Sequence, residues 1–194
     1  VDNLKVTSFN LPQPPIVCVD FSEINSDIKK ICFDLLNTQD KVSHSKSLAG
    51  NLRHQYIAPE KIQNHIKKSV PNIVNNDNLK LDSCWVNFQK KYEFNPNHYH
   101  DGDYSFVWWI NIPYNLQEEL SLEFVKNSGN PSASIFSFTY VDLSGMPNYY
   151  SIPLDKKDEG TLVLFPAKLT HNVYPFYTSD EYRISISGNL SYKK

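Results

Sequence analysis

Six histidines occur in the chain: His44, His54, His65, His98, His100 and His171. Two of them, His98 and His100, are two positions apart, just after a stretch with strand character. In extended backbone, residues i and i+2 point to the same side, so two imidazoles could converge on one metal ion. Asp101 and Asp103 follow at once, and His171 comes much later, between two further strand-like pieces. Three imidazoles, or two imidazoles and a carboxylate, gathered on one face leave open positions on Fe(II), an arrangement suited to activating O2. The plain alternative treats His98 and His100 as surface turn residues.

Twelve positions beyond His171, in the stretch TSDEYRISISGNL, stands Arg183. Strand alternation puts Arg183, Ser185 and Ser187 on one face and Tyr182, Ile184 and Ile186 on the other. A guanidinium on a small, hydroxylated, inward face needs an anionic partner, because an unpaired buried charge is costly. Its planar fork matches a carboxylate, and Ser185 could donate to the same group. A dicarboxylate cosubstrate fits, with one end on Arg183 and Ser185 and a keto-acid end chelating iron. An ordinary pair with Glu181 or Asp180 is the competing explanation. Asn87 and Gln89 share a face of an earlier strand and are weaker candidates.

The elements that would carry these residues follow from periodicity. Residues 11–15 (LPQPP) form an extended entry and residues 16–19 a short strand. Helical spacing of Ile24, Ile28, Ile31, Cys32 and Leu35 predicts a helix over about 23–36. A polar loop containing Ser45 to Leu52 follows. Pro59 is placed for the first turn of a second helix ending near Ser69, with Pro71 as its stop. From Leu81 onward the pattern turns to period two. The expected strands span 83–92, 105–112, 121–125, 134–140, 149–153, 161–165, 172–175 and 182–190. Alternation along 105–112 puts Ser105, Val107, Trp109 and Asn111 opposite Phe106, Trp108, Ile110 and Ile112. The piece around Asn75 to Asn78 reads as a loop. Strands this short, separated by turn residues, mean a sandwich, barrel or jelly roll rather than alternating strand and helix. A length of 194 residues fits one mainly β domain, with 1–80 as a helical support region and 81–194 as the β core.

Composition narrows the function classes. A formal net charge of -2 argues against a dedicated nucleic-acid binder, while leaving room for a small basic patch. Cys18, Cys32 and Cys84 are odd in number and far apart, with no CxxC, so free thiols are expected rather than disulfides or a zinc-thiolate site. Neither a signal peptide nor an apolar run of membrane-spanning length is seen, which makes the cytoplasm the expected compartment, of a host if the source is viral. His44, His54 and His65 lie in the polar front region and are expected to face solvent.

The order of these motifs resembles the 2-oxoglutarate/Fe(II) oxygenase superfamily. Gly160-Thr161-Leu162-Val163-Leu164-Phe165-Pro166 leading to His171, then Val173-Tyr174-Pro175, resembles the strand, turn and distal histidine of prolyl-hydroxylase-like members, and Arg183-Ile184-Ser185 matches their RxS. Leu48-Ala49-Gly50-Asn51, together with the core running from Trp85-Val86-Asn87-Phe88 through His98-Tyr99-His100-Asp101-Gly102 to Val107, is similar to 2OG-Fe(II) oxygenases of marine T4-like phages and bacteria. The resemblance implies a double-stranded β-helix (jelly roll) with N-terminal helices packed on one sheet. It also implies an oxidoreductase using Fe(II), 2-oxoglutarate and O2, most commonly a hydroxylase of a peptide or small-molecule substrate. It implies that His98, His100 and His171 hold the metal and that Arg183, Ser185 and Trp109 form the cosubstrate pocket; Asn87 is a further candidate for that pocket, and the loops 115–119, 127–132 and 142–148 are expected to frame the entrance. The expected HxD reads His98-Tyr99-His100, so three arrangements stay open. These are a three-histidine site, a carboxylate from Asp101 or Asp103, or His100-Asp101-Gly102 as an HxG motif with an open position, as in some halogenases. Two other classes compete: a three-histidine cupin-type dioxygenase or metal-binding protein without 2-oxoglutarate, and a non-enzymatic jelly-roll binding module.

Overall fold

The computed structural model describes residues 16–73 and 78–193; the expected entry segment 11–15 and most of the Asn75 loop lie outside them. The front region supplies β1 (Val17–Asp20), α1 (Ser22–Asn37), β2 (His54–Ile57) and α2 (Glu60–Ile73). The remainder supplies β3 (Leu79–Gln89), β4 (Asn95–His98), β5 (Tyr104–Asn111), short helices α3 (Leu116–Ser121) and α4 (Glu123–Lys126), then β6 (Ile135–Val141), β7 (Pro147–Pro153), β8 (Thr161–Pro166), β9 (Thr170–Val173) and β10 (Arg183–Tyr192).

The strands form a six-stranded sheet, β1-β8-β5-β10-β3-β2, and a four-stranded sheet, β4-β9-β6-β7. All strand pairings are antiparallel. Two apolar clusters hold the layers. Ile28, Cys32, Ile62, Ile66 and Val70 from the helices meet Phe88, Phe106, Trp108, Ile184 and Ile186 on the outer face of the larger sheet. Between the sheets lie Val107, Trp109, Phe136, Phe138, Phe165, Val173 and Phe176. The period-two pattern is thus divided between two cores, as expected for a sheet covered on both faces.

Several expectations change. Residues 121–125 are not a strand: Ser121 ends α3, Leu122 is a break and 123–125 lie in α4; Asn115 caps α3 by accepting from Gln117 N at 2.8 Å, and Glu119 is drawn into the interior. Pro71 does not stop α2, which continues to Ile73 behind the fully buried Val70. Strands β2 and β4 were not expected, because HQYI and NPNH are short and rich in polar or turn-forming residues. Alternation holds along β5 as far as Ile110. The strand then ends at Asn111, next to a register shift against β10, and Ile112 joins the inter-sheet cluster. The three front-region histidines are half-buried rather than solvated; His54 Nδ1 is 3.0 Å from Tyr56 Oη and the His44 ring packs 5.6 Å from Trp85.

Gly188, inside the central strand β10, shows how tightly the sheet is built. A Cβ there would lie 2.4 Å from the backbone oxygen of Ser83 and 2.7 Å from the Phe106 ring. Gly188→Ala is expected to cost about 3 kcal/mol through overpacking. Thermal unfolding should show this as a midpoint lowered by roughly 6–12 °C. The thiols give a second check. Cys18 is exposed, whereas burial pushes Cys32 and Cys84 up to about 12. A thiol reagent at pH 8 should therefore modify one cysteine per native chain and all three after denaturation.

Candidate metal centre

Strands β4 and β9 are neighbours, and their register places His98 directly opposite His171. His100 follows two residues later, where its backbone N–H donates to Ala167 O at 2.9 Å. The ring centroids are 4.2 Å apart for His98 and His171, 4.9 Å for His98 and His100, and 5.2 Å for His100 and His171. One nitrogen from each ring lies within 4.8 Å of the other two. Two tautomers are fixed by backbone carbonyls. His98 Nδ1 is 2.7 Å from Pro96 O and His171 Nδ1 is 2.9 Å from Leu169 O. A carbonyl only accepts, so both Nδ1 atoms carry the proton and both Nε2 lone pairs remain free for a metal.

Electrostatics favours the same state. Burial lowers the His171 pKa to about 3 and that of His100 to about 4, with the neighbouring His98 adding to each shift. Burial also lowers His98, partly offset by its bond to Pro96. All three rings are therefore neutral near pH 7, the form that ligates a metal. The donor set fits a divalent transition ion. Asp101 and Asp103 do not join it. The fully exposed Asp101 pairs with Lys168 at 2.8 Å, and Asp103 accepts from Tyr192 N at 2.8 Å. The structure therefore brings His98, His100 and His171 together and holds the two carboxylates in other contacts.

The histidines form one side of a cavity of about 40 Å³, room for a few waters. Facing them on the larger sheet are Gln55, Trp85, Asn87, Ser185 and Ser187, with Leu48, Ala49 and Gly50 as a roof. A Cβ at Gly50 would lie 2.1 Å from Asn95 Oδ1, so any larger residue there would have to displace that side chain. None of the loops 115–119, 127–132 and 142–148 lines this cavity. Gln55 and Trp85 were not singled out from sequence. Leu48-Ala49-Gly50-Asn51 was visible as a motif, but its role as a roof was not.

Arg183 lies deeper. Val107 and Ser185 line the cavity, and Trp109 and Arg183 are each two residues further along antiparallel β5 and β10. Both are thus displaced the same way, by about 7 Å along the strands. Only 1% of Arg183 is exposed. Its Nε and Nη2 donate to Gln89 Oε1 at 3.3 and 2.8 Å, Nη1 to Tyr114 Oη at 2.8 Å and Nη2 to Tyr174 O at 2.7 Å. Trp109, Tyr114 and Phe176 surround the guanidinium at 6.0, 5.8 and 5.3 Å. All its partners are neutral, and the competing pair is absent: Asp180 binds Lys91 at 2.7 Å and neither it nor Glu181 pairs with Arg183. Among the described residues the buried Nε1 of Trp109 has no hydrogen-bond partner. Tyr114 had no signal in the sequence beyond its place after a strand. Nearby, the fully buried Glu119 carboxylate accepts from Tyr177 N, Thr178 N and Thr178 Oγ1, anchoring the chain just after Phe176.

Comparison with known proteins places this geometry. A family model described as Putative 2OG-Fe(II) oxygenase matches residues 83–189, more than half of the chain and the whole segment from His98 to Ser185. A search of curated protein sequences returns no match. Among solved structures, a prolyl hydroxylase from Trichoplax adhaerens in complex with a hypoxia inducible factor peptide fragment is similar at TM-score 0.59 and 13% identity, over 91% of this chain and 82% of that one. A Pseudomonas putida prolyl-4-hydroxylase is similar at TM-score 0.55 and 14% identity, over 92% and 93%. HygX from Streptomyces hygroscopicus, solved with nickel, 2-oxoglutarate and hygromycin B, is similar at TM-score 0.53 and 10% identity, over 91% and 82%. Such distant likenesses establish the double-stranded β-helix, and the family match goes further: this chain belongs to the 2OG-Fe(II) oxygenases, oxidoreductases that use Fe(II), 2-oxoglutarate and O2.

Proposed function

We propose that His98, His100 and His171 hold the Fe(II) ion, that Arg183 with Ser185 binds the far carboxylate of 2-oxoglutarate, and that the reaction hydroxylates a C–H bond of a peptide. The observation that carries this is the guanidinium of Arg183, buried among neutral partners and, among the described residues, paired with no carboxylate. Such a charge calls for a counter-ion. It lies two residues from Ser185 on the face of β10 that looks onto the histidines. A three-histidine dioxygenase without the cosubstrate has no use for it.

Each side chain has a definable task. The backbone carbonyls of Pro96 and Leu169 keep His98 and His171 in the ligating tautomer. Gln89 and Tyr114 orient the Arg183 fork, and Trp109 walls the pocket beside it. Phe136, Phe165 and Val173 around His171 keep bulk water from the reacting groups. Bound Fe(II) and 2-oxoglutarate supply the oxidative chemistry, in which decarboxylation of the cosubstrate to succinate and CO2 accompanies transfer of one oxygen atom of O2 to the substrate.

The choice of a peptide rests on the sheet beside the histidines and on one similar structure. Strand register aligns His171 with Phe138 and Phe138 with Tyr150, so the sheet face runs from the metal centre outward to an exposed tyrosine on edge strand β7. One similar structure holds a peptide. Another holds hygromycin B, and a small molecule is the second class to screen.

Anaerobic titration of the protein with Fe(II) and 2-oxoglutarate should develop the weak visible charge-transfer band of the chelate. Arg183→Ala should weaken cosubstrate binding about a hundredfold or more, with iron content unchanged. Arg183→Lys, which keeps the charge but loses the fork, should fall between the two. Iron binding without the band in the wild-type protein would remove 2-oxoglutarate from the assignment. His171→Ala should end stoichiometric Fe(II) binding, as read by metal analysis after gel filtration; unchanged iron would take His171 out of the centre.

A further inference from the structure

The cavity wall facing the histidines is one hydrogen-bonded unit. Trp85 Nε1 and Gln55 Nε2 meet Asn87 Oδ1 at 3.1 and 2.9 Å. Asn87 Nδ2 meets the Oγ atoms of Ser185 and Ser187, both at 3.2 Å. The direction of every bond follows from one fixed point. An indole N–H can only donate. The Asn87 atom that faces it must be the carbonyl oxygen, so the amide orientation is determined by chemistry rather than assigned by choice. The amide nitrogen then faces the serines, with one N–H for each.

Each serine oxygen is thereby an acceptor toward Asn87, and its own proton must point elsewhere. Among the described residues neither hydroxyl has any other hydrogen-bond partner, and both serines line the cavity. The wall therefore offers a ligand two O–H donors, side by side on β10 and opposite the three histidines.

The geometry points to Trp85 and Asn87 as positioning residues that set the hydrogen-bond polarity of this wall, committing Ser185 and Ser187 to donate to the oxygen atoms of an anionic 2-oxo acid. This rests on the cosubstrate assignment above and gives it a basis for selectivity beyond charge. A carboxylate or keto oxygen accepts from both hydroxyls, whereas an ammonium or amide N–H against the same wall meets two outward O–H groups and finds acceptors only in the second lone pair of each serine and, among the described residues, in the unpartnered Gln55 Oε1. Trp85 also packs its ring 5.6 Å from that of His100, so the residue that fixes the wall abuts the metal centre.

Two variants separate the relay from mere packing. Trp85→Phe keeps a ring against His100 and deletes the N–H, freeing Asn87 to turn over. Asn87→Asp keeps an acceptor for Trp85 and Gln55 but has no N–H to give, so the serine protons turn toward it and a negative charge enters the wall. Calorimetric titration of the Fe(II)-loaded proteins with 2-oxoglutarate under anaerobic conditions should show binding weakened about tenfold in Trp85→Phe. In Asn87→Asp it should be weakened about a hundredfold or more. Iron affinity should match wild type in both, a split that loss of packing would not produce. Wild-type affinity for 2-oxoglutarate in Asn87→Asp, or in Trp85→Phe should the first variant not fold, overturns the relay. If that happens while Arg183→Ala still loses the cosubstrate, the relay alone falls. If wild-type protein takes up Fe(II) but not 2-oxoglutarate, the relay falls together with the cosubstrate assignment.

Discussion

Strand β10 is buried on both faces, and only one of them is apolar. Ile184 and Ile186 press into the helix-covered core, while Arg183, Ser185 and Ser187 look between the sheets. Polar groups in such a place must be satisfied or they destabilise the fold. Much of the surrounding structure answers that constraint. Gln89 and Asn87 come from β3 on one side of the strand, and Trp109 from β5 on the other. The chain after β9 bends so that Tyr174 offers its carbonyl and Phe176 its ring, and buried Glu119 clamps the next two residues. Among the described residues no carboxylate pairs with Arg183, so these neutral groups alone satisfy its fork.

The two sides of the cavity meet this constraint differently. The smaller sheet brings neutral imidazoles, with tautomers held by backbone carbonyls and protonation suppressed by burial. The larger sheet brings amides and hydroxyls whose bonding directions trace back to a single indole. The smaller sheet thus presents imidazole lone pairs, and the serines of the larger sheet turn their protons toward the same cavity.

How much of this was legible in the sequence depended on the range of the interaction. Period-two alternation gave the faces of β3, β5 and β10, because alternation is a property of the backbone alone. It therefore put Arg183 with Ser185 and Asn87 with Gln89 before any contact was known. Histidine spacing gave the metal-ligand candidates but not the choice between His100 and Asp101. That choice depends on β4 pairing with β9, and the Asn-Pro-Asn of β4 carries no strand signal. Residues 121–125 were misjudged because Leu, Phe and Val suit either state over so short a run; the buried carboxylate of Glu119, a tertiary feature, decided for helix. Gln55 and Tyr114 left no trace, since each acts through a partner 32 or 69 residues away.

The segment Leu48-Ala49-Gly50 lines the cavity without belonging to either sheet. Leu48 N donates to Ser45 O at 3.2 Å on one side, and Asn51 N donates to Phe94 O at 2.8 Å on the other. The strands that carry the rest of the lining are held by continuous ladders instead. A segment tied at so few points opens more readily than the strands beside it, so the cavity lining is uneven in local stability and the LAGN motif is its softer edge.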